Sequence, residues 1–434
     1  MDKITYQKQA PVVGHYHTVV CGGGPAGWVA AVASARAGRK TALIERYGFL
    51  GGTATTGFVV PISGFFHQGR QVVGGIGWEL VERMVAAGKA QVELPKGHVS
   101  FDPEYCKVAI QEMVAEAGVD LYTNSYIAHC TKQDRRIESV IIESKNGAEA
   151  LTADYFIDAT GDGDVCHMAG VAMLEREVEL QPMSMCFLLG GVDLTTDLLK
   201  YNIHHDGKFC KQSIHTEIHD YLQGLSETGE VPQFGGPWFN SIMSGDLVAV
   251  NITRAAADAT DRAQMTAAES KMRKDAFVLI DLLREHYPEF KNAYIAFTAV
   301  QGGIRETRRI KALHTVTGEE MVRGEAFPDV IALSAHPMDI HYAKNNNQTI
   351  DHLPIAAGIP YRSIVPAEYD NLLAVGRCLS ADRKAYASIR VQATLMAIGQ
   401  AAGIALSLCE AGDSAARVDI DALHEKMKQS KAIF

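Results

Sequence analysis

Two short polar segments carry side chains that could take part in chemistry. Arg305 and Arg308 belong to the densest cluster of arginine, residues 305–309. A guanidinium group binds a carboxylate through two parallel hydrogen bonds, so we expect one of the two to bind an anionic substrate and the other to be structural. A network that only braces the structure is the alternative. His341 follows Asp339 by two positions, which on a strand places both side chains on one face, so His341 could accept a proton as a general base.

The elements that must position these side chains begin with a glycine-rich turn near the N-terminus. An apolar run, residues 18–21, stops at Gly-Gly-Gly-Pro-Ala-Gly, residues 22–27, and an alanine-rich segment after it predicts a helix. A second apolar run, residues 41–44, ends at Glu45. Such glycines let the backbone approach a pyrophosphate, the helix N-terminus attracts phosphates, and the acid can accept hydrogen bonds from a ribose. Because both strands and the acid frame the glycines, the pattern predicts a bound dinucleotide.

Three later segments favour a flavin dinucleotide over a nicotinamide one. Residues 47–55 form a second loop of small residues, and residues 158–164 form an acidic turn after an apolar strand. Near the C-terminus, a strand over residues 371–375 stops at a glycine, and residues 390–392 open a long helix whose N-terminus would stabilise a reduced flavin. The predicted cofactor contacts from all these segments are Gly22, Gly24, Pro25, Ala26, Gly27, Glu45, Arg46, Gly52, Thr53, Ala54, Thr55, Ala159, Thr160, Gly161, Asp162, Gly376, Arg377, Arg390, Val391 and Gln392.

These motifs together resemble those of FAD-dependent oxidoreductases with the glutathione-reductase-like fold. More narrowly, residues 305–310, 339–341, 360–362 and 390–392 resemble a bacterial group of FAD-dependent oxidoreductases that is distantly similar to the fumarate reductase and succinate dehydrogenase flavoproteins. The resemblance runs over nearly the whole chain. It implies FAD as the cofactor and an adenine contact from the backbone near Ile127. Because the substrates of the group are diverse, it does not identify a reaction.

The expected fold is α/β, with a Rossmann-like FAD-binding domain and an inserted α+β substrate or cap domain. The FAD-binding domain, a parallel sheet plus a β-meander, is expected in two parts, residues 14–173 and 355–434. The cap is expected over residues 174–354, where alternating runs predict antiparallel strands. The strands and the helix predicted in these parts cover residues 119–131, 136–144 and 151–158 in the meander, and 184–189, 247–253 and 263–286 in the cap.

Composition and charge exclude several classes of partner. The net charge of −10 argues against nucleic acid, since no basic stripe could follow its phosphates. The eight cysteines show no CxxC spacing, so no metal site, iron–sulfur cluster or redox disulfide is expected. For the histidines at 204, 205, 215 and 219, a solvated helix face is favoured over a metal site. The apolar stretch over residues 396–408 is too short to cross a bilayer, and the N-terminus lacks a signal-peptide pattern, so a cytoplasmic protein without membrane contact is expected.

The expected activity is that of an FAD-dependent dehydrogenase or reductase. It would transfer hydride between flavin N5 and a small organic substrate that could be anionic, with an unidentified electron donor or acceptor. The protein could also form a homo-oligomer. The open alternatives are an FAD-dependent monooxygenase, or a protein that uses FAD for a non-redox or group-transfer role. Tyr361, Arg362 and His67 are weaker site candidates, whereas Cys378 is not expected to act as a redox thiol or flavin anchor because no second cysteine adjoins it.

Overall fold

A computed structural model describes residues 4–95, 97–176, 179–194, 213–229, 231–243, 246–344 and 346–434. The strands are β1 (Val12–Cys21), β2 (Thr41–Ile44), β3 (Phe66–His67), β4 (Arg70–Gln71), β5 (Ala90–Glu93), β6 (His98–Phe101), β7 (Asp120–Tyr122), β8 (Tyr126–Gln133), β9 (Arg136–Ser144), β10 (Gly147–Asp158), β11 (Phe187–Gly190), β12 (Phe234–Ser241), β13 (Val248–Thr253), β14 (Tyr294–Thr298), β15 (Val330–Ser334), β16 (Met338–His341), β17 (Gln348–Asp351), β18 (Ala357–Pro360) and β19 (Leu372–Ala374). The helices are α1 (Pro25–Arg36), α2 (Gly75–Ala86), α3 (Pro103–Glu116), α4 (Asp164–Ala169), α5 (Ser213–Ser226), α6 (Arg262–His286), α7 (Gly318–Arg323), α8 (Arg383–Ile389), α9 (Gln392–Ser407) and α10 (Ile420–Gln429).

Strand β10 joins the two halves of the main sheet, whose order is β7-β2-β1-β10-β9-β8 with β19 also paired to β10. The first half of β10 pairs antiparallel with β9, and its last three residues pair in parallel with β19. Strands β1, β2 and β7 extend the parallel part. The expected α/β fold with a parallel sheet and a β-meander is confirmed.

One predicted strand of the meander is wrong. The segment 119–131 is broken into β7, which runs parallel to β2, and β8, which begins the antiparallel meander. The break falls at Asn124, whose φ of 55° is in the left-handed region that a strand does not use. The turn is held because Asn124 N donates to Tyr47 O at 3.1 Å and Ser125 N donates to Glu45 O at 3.1 Å.

The segment between the two parts of the main sheet builds a second sheet of four antiparallel strands in the order β12-β13-β11-β14. Helices α5 and α6 cover one face of it, where Phe187 and Leu189 of β11 belong to the same apolar cluster as Leu222 of α5 and Leu279 of α6. This arrangement matches the expected α+β cap, including the strand over 248–253 and the long helix after it. The domain boundaries at residues 174 and 354 stay predictions.

Helix α9 is buried along its whole length and packs closely against α1. A Cβ atom added at Gly399 would lie 2.1 Å from Ala26 O, and one at Gly403 would lie 2.2 Å from Ala30 O. Only a residue without a side chain fits at such distances, so these two glycines set the separation of the helices. From the first contact to the second, the position moves four residues forward in both helices. Helices α1 and α9 therefore run parallel, and their N-termini point to the same side of the sheet.

Within the described parts of the chain, no single helix is long and apolar enough to cross a membrane. The pair α8 and α9, bent by 90° at its break, meets the length and composition requirement only when both helices are counted together.

We predict that Gly403→Ala lowers the melting temperature, because the added carbon would overlap Ala30 O and overpacking costs about 1–3 kcal/mol. The matched control is Gly224→Ala in α5, where an added Cβ meets nothing within 4 Å and alanine is favoured over glycine by up to about 1 kcal/mol. Thermal unfolding of both variants checks the prediction. A melting temperature of Gly403→Ala equal to that of the wild type would mean that the helices lie farther apart.

Candidate functional site

The carboxyl ends of four parallel strands meet at one edge of the main sheet and open onto a large cavity. Gly22 follows β1, Glu45 follows β2, Ala159 follows β10, and Gly376 comes shortly after β19. All four residues line one cavity of about 1290 Å³. This volume exceeds the range of about 300–1,000 Å³ that is usual for small-molecule pockets. In open α/β sheets this edge is where ligands bind, so the cavity is the candidate site.

The glycine-rich turn presents bare backbone to this cavity. Gly22 has a φ of 108°, and a Cβ at Gly27 would lie 1.8 Å from Gly22 O, so both glycines are required by the turn itself. Gly24 differs, because an added Cβ there would meet nothing within 4 Å, and Gly24 lines the cavity. Gly24 is also the N-cap of α1 and offers no side chain to the N–H groups of the first turn. Those donors are available to a phosphate.

Glu45 ties the end of β2 to the glycine-rich turn. Its Oε2 accepts from Gly23 N at 2.8 Å, and its Oε1 accepts from Tyr47 N at 2.9 Å. Burial raises the pKa of Glu45, an effect that these two hydrogen bonds partly offset. Each carboxylate oxygen keeps a second lone pair, so a ribose hydroxyl can still donate to Glu45 at the cavity wall.

The loop after Glu45 connects the main sheet to the cap. Arg46 Nη2 and Tyr47 OH both donate to Gln301 Oε1. Of the predicted contacts in this loop, Arg46, Gly52 and Thr53 line the cavity. Thr55 Oγ1 instead donates to Leu50 O at 2.7 Å, and Ala54 is buried, so these two residues support the loop and are not part of the cavity wall.

The acidic turn after β10 is held by a network of its own. The Asp158 carboxylate accepts from Thr160 Oγ1 at 2.7 Å and from Cys166 N at 2.8 Å. Asp162 Oδ1 accepts from Arg377 Nη2 at 2.8 Å, which joins this turn to the turn after β19. Thr160, Asp162 and Arg377 all line the cavity, so the network fixes two predicted contact segments against each other.

Arg308 belongs to this acidic turn and not to the cavity wall. It donates to Asp162 O at 3.1 Å and to Asp164 Oδ1 at 2.9 Å. Burial and the neighbouring charges of Asp158 and Asp162 raise the pKa of Asp164 to about 6, whereas the Arg308 charge opposes that rise. Arg308 therefore makes its contacts within the acidic turn and does not line the cavity, and its catalytic role stays a prediction.

Arg305 lines the cavity and shares one hydroxyl group with a second arginine. Its Nη1 donates to Ser184 Oγ at 2.7 Å and to Pro182 O at 2.8 Å. Arg254 donates from its Nη1 to the same Ser184 Oγ at 2.5 Å and to Asn251 Oδ1 at 3.0 Å. Arg254 is buried and stacks over the Trp238 ring at 5.2 Å, and its Nη2 has no hydrogen-bond partner within the described part of the chain. Two guanidinium groups therefore meet at one serine.

Three guanidinium groups and one carboxylate set the charge at this end of the cavity. Arg390 Nη2 donates to Asp339 O at 2.8 Å and lies 4.0 Å from Asp339 Oδ2. Burial and the charge of Arg390 lower the pKa of Arg305 to about 10. Burial and the charge of Arg305 likewise lower the pKa of Arg254. Because like charges disfavour one another in a buried site, this end of the cavity favours a bound anion.

His341 and Asp339 form the hydrogen-bonded pair that strand β16 was expected to create. The distance from His341 Nε2 to Asp339 Oδ2 is 3.0 Å, and the ring of His341 meets the edge of Trp238 with centroids 5.8 Å apart. Burial and the charge of Arg305 lower the pKa of His341 to about 3, although Asp339 acts in the opposite direction. The imidazole is therefore neutral. Since a carboxylate can only accept, Nε2 carries the proton and Nδ1 keeps its lone pair.

The remaining predicted residues divide between the wall of the cavity and other parts of the molecule. Residues that line it are Pro25, Ala26, Gly161, Val391, Gln392 and His67. Ile127 lies in the apolar core of the meander, Tyr361 OH donates to Ala415 O, and Arg362 pairs with Asp329. Cys378 is buried. His204 and His205 lie outside the described residues, as does the side chain of His215. The contacts of all predicted residues with a cofactor stay predictions.

Sequence reasoning missed Ser184, Trp238, Asn251 and Arg254. All four come from the cap sheet or the segments beside it, and Trp238 pairs with Asn251 across β12 and β13. The available signal was weak, namely one amide inside the apolar run of β13 and an arginine directly after it. Their convergence depends on strand register, which no local motif encodes.

The cavity wall has the features that FAD requires. Gly24 leaves open space at the uncapped start of α1, which suits a pyrophosphate. Two buried polar atoms on residues of the wall, Gln392 Oε1 and Arg377 Nη1, have no hydrogen-bond partner among the described residues. Gln392 is also the first residue of α9, whose N-terminus carries positive potential. Unpaired buried polar groups are costly, so a ligand with both donors and acceptors fits this wall.

Comparison with known proteins agrees with this geometry. The family model described as FAD dependent oxidoreductase matches residues 18–427. The dihydrolipoyl dehydrogenase of Bacillus subtilis (strain 168) is 29% identical over 147 residues, which cover 33% of this chain and 30% of the relative. That of Trypanosoma brucei brucei is 40% identical over 62 residues, 14% of this chain and 13% of the relative. The match thus spans less than a third of either relative.

Two solved structures share the fold over 96% of this chain at 14% identity. One is a geranylgeranyl bacteriochlorophyll reductase-like protein from Thermoplasma acidophilum, with a TM-score of 0.50 and 83% of its chain covered. The other is the flavin-dependent brominase Bmp2, with a TM-score of 0.51 and 84% of its chain covered. Identity this low supports the fold alone.

We predict that Gly24→Val yields a folded protein that does not retain FAD. The valine side chain would occupy the open space at the start of α1, while its backbone conformation, with φ of −70°, suits any residue. Flavin absorbance per protein, read together with the melting temperature of the apoprotein, checks this. Gly224→Val in α5 is the control, because it also adds a side chain into open space but away from the cavity. A yellow Gly24→Val protein would contradict the assigned phosphate path.

Proposed function

The chain belongs to the FAD dependent oxidoreductase family, and from that premise we propose that it acts as a dehydrogenase or reductase on a small anionic organic substrate. FAD, when bound, supplies the redox chemistry, the transfer of a hydride between its ring and the substrate. The observation that carries the proposal is the cluster of Arg254, Arg305 and Arg390 around the single carboxylate of Asp339.

Arg305 is the residue that would bind the substrate directly. Both of the hydrogen bonds that Arg305 donates to described residues use Nη1, and Arg305 lines the cavity. Its Nε and Nη2 donors are therefore available, and a guanidinium edge of this kind holds a carboxylate in one plane. Arg254 is not part of the cavity wall, so it would act through its charge and through Ser184.

His341 would move the proton that accompanies hydride transfer. Its neutral ring is oriented by Asp339, so Nδ1 can accept a proton from the substrate during oxidation and return one during reduction. The positive charge of Arg305 makes Nδ1 a weak base in the empty cavity. A substrate anion beside Arg305 offsets that charge and raises the pKa of His341, so Nδ1 becomes a better base only after substrate has bound.

The distant likeness to fumarate reductase and succinate dehydrogenase flavoproteins is part of the same proposal. It rests on four short motifs, residues 305–310, 339–341, 360–362 and 390–392. The cytoplasmic location rests on the apolar stretch over residues 396–408, which is too short to cross a bilayer. Monooxygenase chemistry is compatible with the family, but the paired arginines and the histidine–aspartate pair favour substrate oxidation or reduction, since they bind an anion and move a proton.

We predict that small organic acids bind to the holoenzyme and that Arg305→Gln weakens their binding by about 10- to 100-fold, the range for a lost hydrogen bond to a charged group. Titration followed by flavin absorbance gives the Kd, and anaerobic mixing identifies acids that bleach the flavin. Arg308→Gln is the control, because its partner Asp164 lies in the acidic turn and not at the cavity. Failure of every acid to bind, or equal weakening by both variants, would contradict an anionic substrate.

We predict that His341→Gln retains FAD but slows flavin reduction by a bleaching acid by about 10²–10⁴-fold, the usual contribution of a general base. Because the pKa of free His341 is lowered to about 3, the neutral ring is present at every pH above that value. The kcat/KM profile should therefore show no loss from this group as pH falls to 5, while kcat should begin to decline at a higher pH than kcat/KM does. His67→Gln, in the same cavity wall, is the control. An unchanged rate for His341→Gln would remove His341 from the reaction.

A further inference from the structure

The hydroxyl group of Ser184 lies between two arginines at the cavity wall. Arg254 Nη1 is 2.5 Å from Ser184 Oγ, and Arg305 Nη1 is 2.7 Å from the same atom. Ser184 is buried, with 2% of its surface exposed, and it lines the cavity. The serine is therefore placed where a ligand and both arginines can reach it.

The direction of both hydrogen bonds is settled by chemistry. Guanidinium N–H groups can only donate, so Ser184 Oγ is the acceptor in each case. A hydroxyl oxygen has two lone pairs, and both are used by the arginines. The one remaining capacity of this group is to donate its own hydrogen. Among the described residues, Ser184 Oγ makes no hydrogen bond in which it is the donor.

The surroundings keep Ser184 in this donor role. Ser184 N donates to Gly303 O at 3.1 Å and Gly303 N donates to Ser184 O at 2.6 Å, which fixes the backbone. Each arginine is also anchored separately, Arg305 by Pro182 O at 2.8 Å and Arg254 by Thr253 O at 2.8 Å. Because neither arginine depends on the serine alone, the lone pairs of Oγ stay occupied whether or not a ligand is bound.

We propose that Ser184 determines specificity by donating its hydroxyl hydrogen to a carboxylate or carbonyl oxygen of the substrate. This inference rests on the proposed function, since it takes the anionic substrate to lie at the arginine end of the cavity. Arg305 and Ser184 then supply only donors to the same substrate group. A substrate that presents an N–H at this point meets two donors and leaves a buried group unpaired, which is costly.

The test compares acetate with acetamide as probes of the holoenzyme, each titrated by flavin absorbance. Wild type should bind acetate more tightly than acetamide. Ser184→Ala should weaken acetate by about 10- to 100-fold, the range for a hydrogen bond to a charged group, and should reduce the acetate-to-acetamide preference. Ser184→Thr, which keeps the hydroxyl, should restore most of that preference. Ser363→Ala is the control. The buried hydroxyl group of Ser363 already donates to Pro360 O at 2.7 Å, and Ser363 does not line the cavity.

Each other outcome decides the matter. If wild type prefers acetate and Ser184→Ala keeps the same preference, the role of Ser184 is overturned while the anionic substrate stands. The same holds if Ser184→Ala weakens both probes equally, or if Ser184→Thr behaves like Ser184→Ala, because either result indicates a structural role. If wild type binds neither probe, the inference fails, while the titrations with the other organic acids decide the proposed function separately.

Discussion

The close contact between α1 and α9 is the constraint on which the site depends. Gly399 and Gly403 let the backbones of the two parallel helices come into direct contact. The N-termini of both helices therefore face the same edge of the sheet. The contact pairs residue 399 with residue 26, and α9 begins seven residues earlier, at Gln392. At 1.5 Å per residue, the start of α9 lies about 10 Å beyond that contact. One cavity thus receives positive potential from two helix ends at different depths, as an extended dinucleotide requires.

Charge in this protein is separated by location. The whole chain has a net charge of −10, yet three arginines surround Asp339 at the arginine end of the cavity. Surface charges are screened over about 8–10 Å at moderate salt, whereas buried groups are screened much less. Under the proposed function, the local arginines therefore decide which ligands are held, even though the net charge of the whole chain is negative. The acidic turn of Asp158, Asp162 and Asp164 does not oppose this, because its carboxylates are occupied by Arg308, Arg377 and nearby donors.

The sequence predicted the parts of the site that depend on local structure. Each of four such parts is encoded within one strand and the residues that follow it: the turn at residues 22–27, Glu45, and the turns after β10 and β19. Parallel pairing of the strands then brings these parts together. Arg305 and Arg308 could not be told apart from spacing alone, since the difference lies in Asp164, far away in the chain. Ser184 and Arg254 could not be found either, because their meeting requires the register of an antiparallel sheet.

Under the proposed function, binding of an anion and binding of a proton are coupled at the arginine end of the cavity. The charge of Arg305 lowers the pKa of His341, and an anion that offsets this charge must raise it. By linkage, protonation of His341 must in turn strengthen binding of the anion by the same factor. A product anion formed as Nδ1 takes up a proton is therefore held more tightly than the same anion beside the neutral ring. Release of that product is then easiest once His341 has returned its proton, so the arginine cluster orders the two events.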